Sequence, residues 1–273
     1  MLIAPVTVFL FVFFLYPFYL VASQAFTTGN GFSLENFSKV TSYWKFGDTL
    51  RNTLLLALAV IPLQTAMALL MATMVNKMQK GRDLVLYIWT IPLGISDLAA
   101  GIIWLAIFEQ TGFLNTILSN MGLAERPTTL LSYQNPWLLF IAIAMAEIWR
   151  ATAIMLVILV AGIGLIPKEY YEAAEIFGAS PWKRFWKITL PLLRPSLQTA
   201  LILRTIMAFE VFGVVVTLGG TLFPVLMGET YNYQFNLQNS GAAAAIALII
   251  LAICVVFTLL FLRILRVPKG AQI

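Results

Sequence analysis

Six long apolar stretches dominate the sequence and constrain what the chain can fold into. Each contains about 20 residues or more with few charges, which is the length an α-helix needs to cross the hydrocarbon core of a bilayer. They lie at about 2–23, 50–75, 84–108, 137–163, 192–218 and 241–264. A soluble domain of 273 residues could not bury them, since 60% of the residues are apolar and only 11% are charged. The sequence therefore predicts an all-α polytopic membrane protein with six transmembrane helices in a single domain, residues 1–273.

Lys and Arg residues fall mainly on one side of these stretches. If the N-terminus is inside, the inner segments hold Lys77, Lys80, Arg82, Lys168, Lys183, Arg184, Lys187, Arg194, Arg263, Arg266 and Lys269. The outer segments hold Lys39, Lys45, Arg51 and Arg126. Basic residues accumulate on the cytoplasmic side of membrane proteins. We therefore expect both termini to be cytoplasmic, and the net charge of +5 indicates topology rather than nucleic-acid binding.

The composition also limits the chemistry that this chain can perform. It contains no His and a single Cys, which excludes most general-base arrangements, most metal sites and any internal disulfide. No GxxxxGK[ST] sequence is present, so the chain has no phosphate-binding loop of that type. We therefore expect no catalytic residue, metal or cofactor in this chain. If it moves a solute uphill, the energy comes from a partner protein or from an ion gradient.

One inner segment, 166–191, has the features of two short helices separated by a turn. Pro167 suits the first position of a helix, and Glu169 is favourable near the positive end of its dipole. Gly178 is typical of the residue that follows a helix, and Ser180 can cap the helix after it. The aromatic residues at 182, 185 and 186 give this second helix an apolar face. These features alone fit an amphipathic elbow on the lipid headgroups equally well.

The spacing within this segment carries a resemblance to a known family. Glu172-Ala173-Ala174, followed by Gly178 and then by Ile188-x-Leu190-Pro191, resembles the EAA loop of bacterial and archaeal ABC importer permeases. Family loops usually have Asp just before the glycine, where this chain has Phe177. That difference implies a locally different contact with the partner.

Other parts of the chain are similar to the carbohydrate branch of that family, the MalF/UgpA-like sugar permeases. The similar segments are Tyr16-Pro17, Leu34-Glu35-Asn36-Phe37, the run 46–53, Ile91-Pro92 through Trp104, Gly112-Phe113-Leu114-Asn115 and Glu147-Ile148-Trp149-Arg150. The resemblance implies the type I ABC importer permease fold, in which the loop 166–191 is a cytoplasmic coupling loop. Thr217-Leu218-Gly219-Gly220-Thr221 departs from the Thr-Gly-Gly-Gly-Pro turn of many relatives.

The resemblance also implies partners and a site. The partners are a second homologous permease in a heterodimer, two ATP-binding cassette subunits that hold ATP and Mg, and an extracytoplasmic solute-binding protein. The implied coupling residues are Glu172, Ala173, Ala174 and Gly178. In this interpretation Glu172 holds the loop or meets a polar group of the ATPase, the alanines permit close approach, and Gly178 makes the turn. The implied location is the cell membrane of a prokaryote.

Five ionisable residues lie inside the apolar stretches, where a charge is costly unless it is paired or faces water: Asp97, Glu147, Arg150, Arg204 and Glu210. Glu147 and Arg150 are three residues apart, share a helix face and can pair. Such a pair either fixes helix packing or lines a translocation path. Arg204 is expected to extend towards the headgroups.

Residues 207–212 combine aromatic rings with a carboxylate, the chemistry that holds a sugar in a mainly apolar pocket. Phe within a membrane helix is more often a packing residue, whereas a carboxylate in mid-span needs a reason. The candidate substrate-path residues are therefore Glu147, Arg150, Phe209 and Glu210.

These observations leave several functional interpretations open. The first is a permease subunit of an ATP-driven sugar importer. The same class could carry another small solute, of the glycerol-phosphate or polyamine type. An ion-coupled secondary transporter is the rival, but its inverted repeats are not visible in this sequence. An intramembrane enzyme is disfavoured because His and a nucleophile–base pair are missing.

Overall fold

The computed structural model describes residues 3–29, 31–123 and 127–265, and it is predominantly helical. The α-helices are α1 Ala4–Leu10, α2 Tyr16–Phe26, α3 Glu35–Thr41, α4 Phe46–Lys77, α5 Arg82–Thr90, α6 Asp97–Phe108, α7 Phe113–Asn120, α8 Pro136–Gly164, α9 Lys168–Ile176, α10 Pro181–Arg184, α11 Leu190–Leu192, α12 Arg194–Phe209, α13 Gly213–Leu218, α14 Leu226–Tyr231 and α15 Ser240–Ile264. Single π-helical turns join α1 to α2, α10 to α11, and extend α14. Two short antiparallel strands, β1 Thr27–Thr28 and β2 Gly31–Phe32, form a hairpin.

Within these described ranges, five helical segments are long and apolar enough to cross a membrane: Ala4–Phe26, Phe46–Lys77, Asp97–Asn120, Pro136–Gly164 and Ser240–Ile264. Four of them correspond to the predicted stretches at 2–23, 50–75, 137–163 and 241–264, and the fifth, Asp97–Asn120, begins inside the predicted stretch at 84–108. In the other two stretches the helix is interrupted. The stretch 84–108 contains α5, a 3-10 turn at Ile91–Gly94 and α6. The stretch 192–218 is interrupted between α12 and α13.

The first interruption has a local cause in the sequence. Pro92 opens the 3-10 turn because its ring blocks the preceding helix from continuing. Ser96 then caps α6, since its hydroxyl oxygen accepts a hydrogen bond from the Ala99 N–H at 3.2 Å. The second interruption, at residues 210–212, has no proline.

The chain forms two compact units, and the first contains the described residues up to Leu54 together with Phe223–Ile253. Within it, the Asn36 amide donates hydrogen bonds of 3.2 Å to the carbonyls of Gln24, Ala25 and Thr27. Gly241 lies directly against Asn36, where a Cβ would come within 2.7 Å of the amide nitrogen. These contacts fix the turn after α2 and the start of α15.

The second unit contains Leu55–Leu222 and the described residues from Cys254 onward. Its inner core joins three helices through small and aliphatic side chains. The buried residues of this core are Ala68, Ala72, Met155, Leu156, Leu159, Val160, Ile163, Leu193, Leu197 and Ala200. Alanines at a helix interface allow the backbones to approach closely. Because α8 and α12 share this core, the segment 166–191 begins and ends at the same packed structure.

Gly162 provides the first test of this packing. A Cβ at this position would collide with the Ser196 side chain and come within 2.8 Å of Leu193 Cδ1. Gly162→Ala is expected to lower the thermal midpoint of the detergent-solubilised protein, because overpacking costs about 1–3 kcal/mol. Size-exclusion chromatography after heating measures that midpoint.

Gly164→Ala is the matched control on the same helix. A Cβ at this position meets no atom within 4 Å, and alanine is the better helix former. We expect its midpoint to equal or exceed that of the native chain. Equal midpoints for the two variants would show that α8 and α12 are not closely packed at Gly162.

Candidate functional site

The segment 166–191 folds as two short helices with a glycine turn between them. Pro167 precedes the first helical residue instead of occupying it, so α9 begins at Lys168, and Glu169 lies in its first turn. Gly178 has φ +70°, a left-handed conformation that favours glycine. The Ser180 hydroxyl accepts a hydrogen bond from the Lys183 N–H at 3.3 Å. The predicted turn and the predicted cap are therefore confirmed.

The first of these helices presents an exposed surface. Glu172 and Ala173 are exposed and Ala174 is half-buried. At the end of the helix, Ile176 is 84% exposed and Phe177 is 89% exposed. This exposed apolar pair at the glycine turn is available for contact with another surface.

Two contacts hold this helix to the chain that follows it. The Tyr171 hydroxyl forms a hydrogen bond of 3.1 Å with the hydroxyl of Thr189, a buried residue in the segment that leads to α12. Glu175 pairs with Arg184 at 3.2 Å across the glycine turn. Through these two contacts, the helix α9 and the segment leading to α12 are tied together.

A second group of polar residues lies inside the apolar part of the second unit. Glu147 is buried on α8 and pairs with Arg150 at 3.0 Å and with Arg204 of α12 at 2.9 Å. The Arg204 Nε donates to Gln64 Oε1, and Gln64 Nε2 donates to the Glu147 carbonyl at 2.9 Å. The expectation that Arg204 extends to the headgroups is wrong: this residue is 0% exposed. A carboxylate and an amide within reach stabilise the guanidinium internally.

Asp97 completes this group, which we call the charged cluster: Asp97, Glu147, Arg150 and Arg204. Its Oδ1 lies 3.3 Å from Arg150 Nε, so the cluster contains two carboxylates and two guanidinium groups. Sequence reasoning marked Asp97 as an ionisable residue in an apolar stretch but assigned it no partner. Within the described ranges, no group of three or more His, Cys, Asp or Glu side chains is arranged to hold a metal ion.

The other two candidate path residues lie where α12 ends. Phe209 is 1% exposed, and its ring centroid is 5.3 Å from that of Phe257, which favours the packing interpretation. Glu210 follows directly and is exposed. The structure thus brings Glu147 and Arg150 together in the charged cluster and places Glu210 at an accessible helix break.

A double-mutant cycle tests whether the charged cluster is one interacting unit. Glu147→Gln leaves Arg204 buried without its carboxylate, and breaking a buried ion pair costs about 3–5 kcal/mol. The double variant Glu147→Gln/Arg204→Gln is expected to lose at least about 1 kcal/mol less than the sum of the two single losses. Thermal midpoints in detergent measure all four proteins. Strictly additive losses would contradict the coupling between the two side chains.

Comparison with known proteins places this geometry in a family. Residues 64–266 match the family described as "Binding-protein-dependent transport system inner membrane component". The trehalose/maltose transport system permease protein MalF of Thermococcus litoralis is 34% identical over 239 residues, which cover 85% of this chain and 79% of the relative. The sulfoquinovosyl glycerol transport system permease protein SmoG of Agrobacterium fabrum is 31% identical, over 97% of this chain and 89% of the relative.

A third relative and a solved structure are similar over nearly the whole chain. The sn-glycerol-3-phosphate transport system permease protein UgpA of Agrobacterium fabrum is 31% identical over 94% of this chain and 91% of the relative. A chain of a bacterial ABC transporter involved in the import of the acidic polysaccharide alginate has the same fold, with a TM-score of 0.85. It is 23% identical, and the alignment covers 98% of this chain and 95% of that one. The chain therefore belongs to the family of binding-protein-dependent transport system inner membrane components and is a non-catalytic permease subunit.

Proposed function

We propose that the chain forms, with a second homologous permease, the translocation path of an ATP-driven importer for a mono- or oligosaccharide. A solute-binding protein delivers the sugar from outside, and two ATP-binding cassette subunits supply the energy by hydrolysing ATP with Mg²⁺. The observation that carries this proposal is the exposed helix α9 with its glycine turn. The similarity of the chain to a trehalose/maltose permease supports it. The alginate transporter, which has the same fold, has been solved in complex with a periplasmic protein that carries an alginate pentasaccharide.

Glu172, Ala173, Ala174 and Gly178 are proposed to form the contact with the ATPase. A short exposed helix with small side chains can enter a cleft, and the polar Glu172 can meet a polar group there. Ile176 and Phe177 add an apolar contact at the tip. Movement of the ATPase then reaches α12 through the Tyr171–Thr189 hydrogen bond and the Glu175–Arg184 pair.

The proposed path passes the helix break after α12. Glu210 is the candidate for direct contact with sugar hydroxyls, because its carboxylate is exposed and can accept their hydrogen bonds. Arg150 is partly exposed, whereas Glu147 and Phe209 are buried. Glu147 and Phe209 therefore act behind the path surface in this proposal, by holding Arg150 and the end of α12.

A glycerol-phosphate type of solute is the second candidate, since a UgpA protein is 31% identical to this chain. An anionic phosphate needs an arginine or lysine that is free to bind it. Arg150 and Arg204 are both paired with carboxylates in the structure. This pairing favours a neutral sugar over a phosphate at the charged cluster.

The proposed location is the cell membrane of a prokaryote, with both termini in the cytoplasm. The described basic residues of the inner segments include those of the coupling loop, which faces the ATPase in this orientation. Three of the basic residues on which this orientation rests, Arg126, Arg266 and Lys269, lie outside the described residues.

Gly178→Val tests the coupling assignment. A β-branched side chain is strongly disfavoured at φ +70°, so the turn after α9 must rearrange. We expect normal amounts of the protein in the membrane, with uptake and solute-stimulated ATP hydrolysis of the assembled transporter reduced by at least about tenfold, as misplacement of a positioned group commonly does.

The control for this test is Gly122→Val, which introduces the same strain at φ +69° in a turn outside the coupling loop. A Cβ meets no atom within 4 Å at either glycine. Uptake by the control variant should stay near that of the native transporter. If Gly178→Val transported and hydrolysed ATP at native rates, the coupling assignment would be wrong.

Glu210→Cys in a Cys254→Ala background tests the path. The chain has one native Cys, so the engineered thiol is its only one. We expect the thiol introduced at position 210 to react with a membrane-impermeant reagent and the cognate sugar to slow this reaction. Ala208→Cys is the matched control two residues away, and it should stay unreactive because Ala208 is buried. Labelling at 210 that is insensitive to the sugar, with unchanged uptake kinetics for Glu210→Ala, would remove Glu210 from the path.

A further inference from the structure

The break between α12 and α13 is held by a side chain from a distant part of the sequence. The Asp97 carboxylate accepts hydrogen bonds from three successive backbone N–H groups, those of Phe212, Gly213 and Val214. The outer two bonds are 3.3 Å long. Asp97 lies 115 residues or more before these groups in the chain.

These N–H groups need such an acceptor because of where they lie. The first N–H groups of a helix have no partner within the helix, and in an apolar environment each unsatisfied group is costly. The side chain of Phe212, the residue that precedes α13, has no oxygen that could cap this helix. Asp97 supplies this acceptor for α13. It lies in the first turn of α6, and its negative charge is also favourable there because it is near the positive end of the α6 dipole.

The backbones around this contact are too close to leave room for a side chain at either of two glycines. A Cβ on Gly213 would lie 2.6 Å from the Leu98 nitrogen and 2.8 Å from the Asp97 carbonyl carbon. One helical turn further on, a Cβ on Gly101 would collide with the Thr217 side chain. The two glycines therefore bring α6 and α13 into direct backbone contact, with the carboxylate at the end of this contact.

Asp97 also connects this break to the charged cluster. The same carboxylate that accepts the three N–H groups pairs with Arg150, which in turn pairs with Glu147. Glu210 lies two residues before Phe212, the first of the bonded N–H groups. The Asp97 carboxylate therefore holds the backbone that begins two residues after Glu210.

We propose that Asp97 is a positioning residue for transport, which holds the α12–α13 break and thereby fixes the position at which Glu210 meets the solute. It acts through the backbone of residues 212–214 and through Arg150, and it need not touch the sugar itself. This inference rests on the proposed role of Glu210 in the path. It makes Asp97, a residue of the third apolar stretch, one of the residues that determine the solute specificity of that site.

The first measurement is uptake by the complete transporter with Asp97→Ala and Asp97→Asn. Loss of the carboxylate frees the three N–H groups and Arg150, so the break relaxes. We expect Asp97→Ala to raise the KM for the sugar at least about tenfold, as displacement of a positioned contact does, with less change in maximal uptake per transporter. Asp97→Asn, which keeps one acceptor oxygen and loses the ion pair, is expected to lie between Asp97→Ala and the native protein.

The matched control is Asp83→Asn, a change of the same side chain in the first turn of the preceding helix, α5. Its KM should equal that of the native transporter. A merely structural loss would lower the amount of assembled transporter and the maximal uptake without changing KM.

The second measurement is the rate at which the impermeant reagent labels the thiol of the Glu210→Cys protein, compared with and without Asp97→Asn. We expect Asp97→Asn to change this rate at least about threefold, since the exposed position has moved. If KM and the labelling rate both stay at native values with Asp97→Asn and Asp97→Ala, the positioning role is overturned. If the Asp97→Ala protein cannot be recovered from the membrane, a native KM and a native labelling rate for Asp97→Asn are sufficient to overturn the positioning role.

These outcomes separate the inference from the proposed path. Failure of the sugar to protect the thiol at position 210 in the native Asp97 background contradicts the path assignment of Glu210. Even then, a labelling rate that differs between the proteins with and without Asp97→Asn would show that Asp97 positions the break. A KM that is the same with and without this substitution would exclude a role of Asp97 in solute recognition.

Discussion

The structure of the second unit depends on ion pairs and hydrogen bonds that satisfy charged side chains and backbone N–H groups in its apolar interior. Arg204 is completely buried, yet its guanidinium is bonded to Glu147 and Gln64. The same logic applies to the N–H groups of α13, which are satisfied by Asp97. In an apolar medium these interactions have no solvent competitor, so they decide which helices lie together. Helices α4, α6, α8, α12 and α13 meet around one set of polar groups.

Local patterns were sufficient to predict the elements that depend on local contacts. Gly178 and Ser180 each act within about four residues, and both behave as the sequence indicated. The Glu147–Arg150 pair follows from their spacing on one helix. Apolar length located four of the helical spans, because burial in lipid depends on composition over about 20 residues.

Contacts between distant parts of the chain could not be predicted in the same way. Arg204 finds its carboxylate 57 residues away, so its position in α12 indicated only a costly charge. The interruption of the fifth stretch has no proline to announce it, and its cause lies in Asp97 and in the close approach of Gly213 to α6. Phe209 and Glu210 are adjacent in sequence, but only the tertiary packing shows that one is buried and the other exposed.

The joined ends of the segment 166–191 have a mechanical consequence for its proposed role in coupling. The loop leaves from α8 and returns through α12, and these helices touch at Gly162 and Ser196, close to where the loop begins. The two ends of the segment are therefore held together by this helix contact. In the proposed role of α9, a displacement of this helix would move α8 and α12 together, because the two helices are packed against each other at the base of the segment.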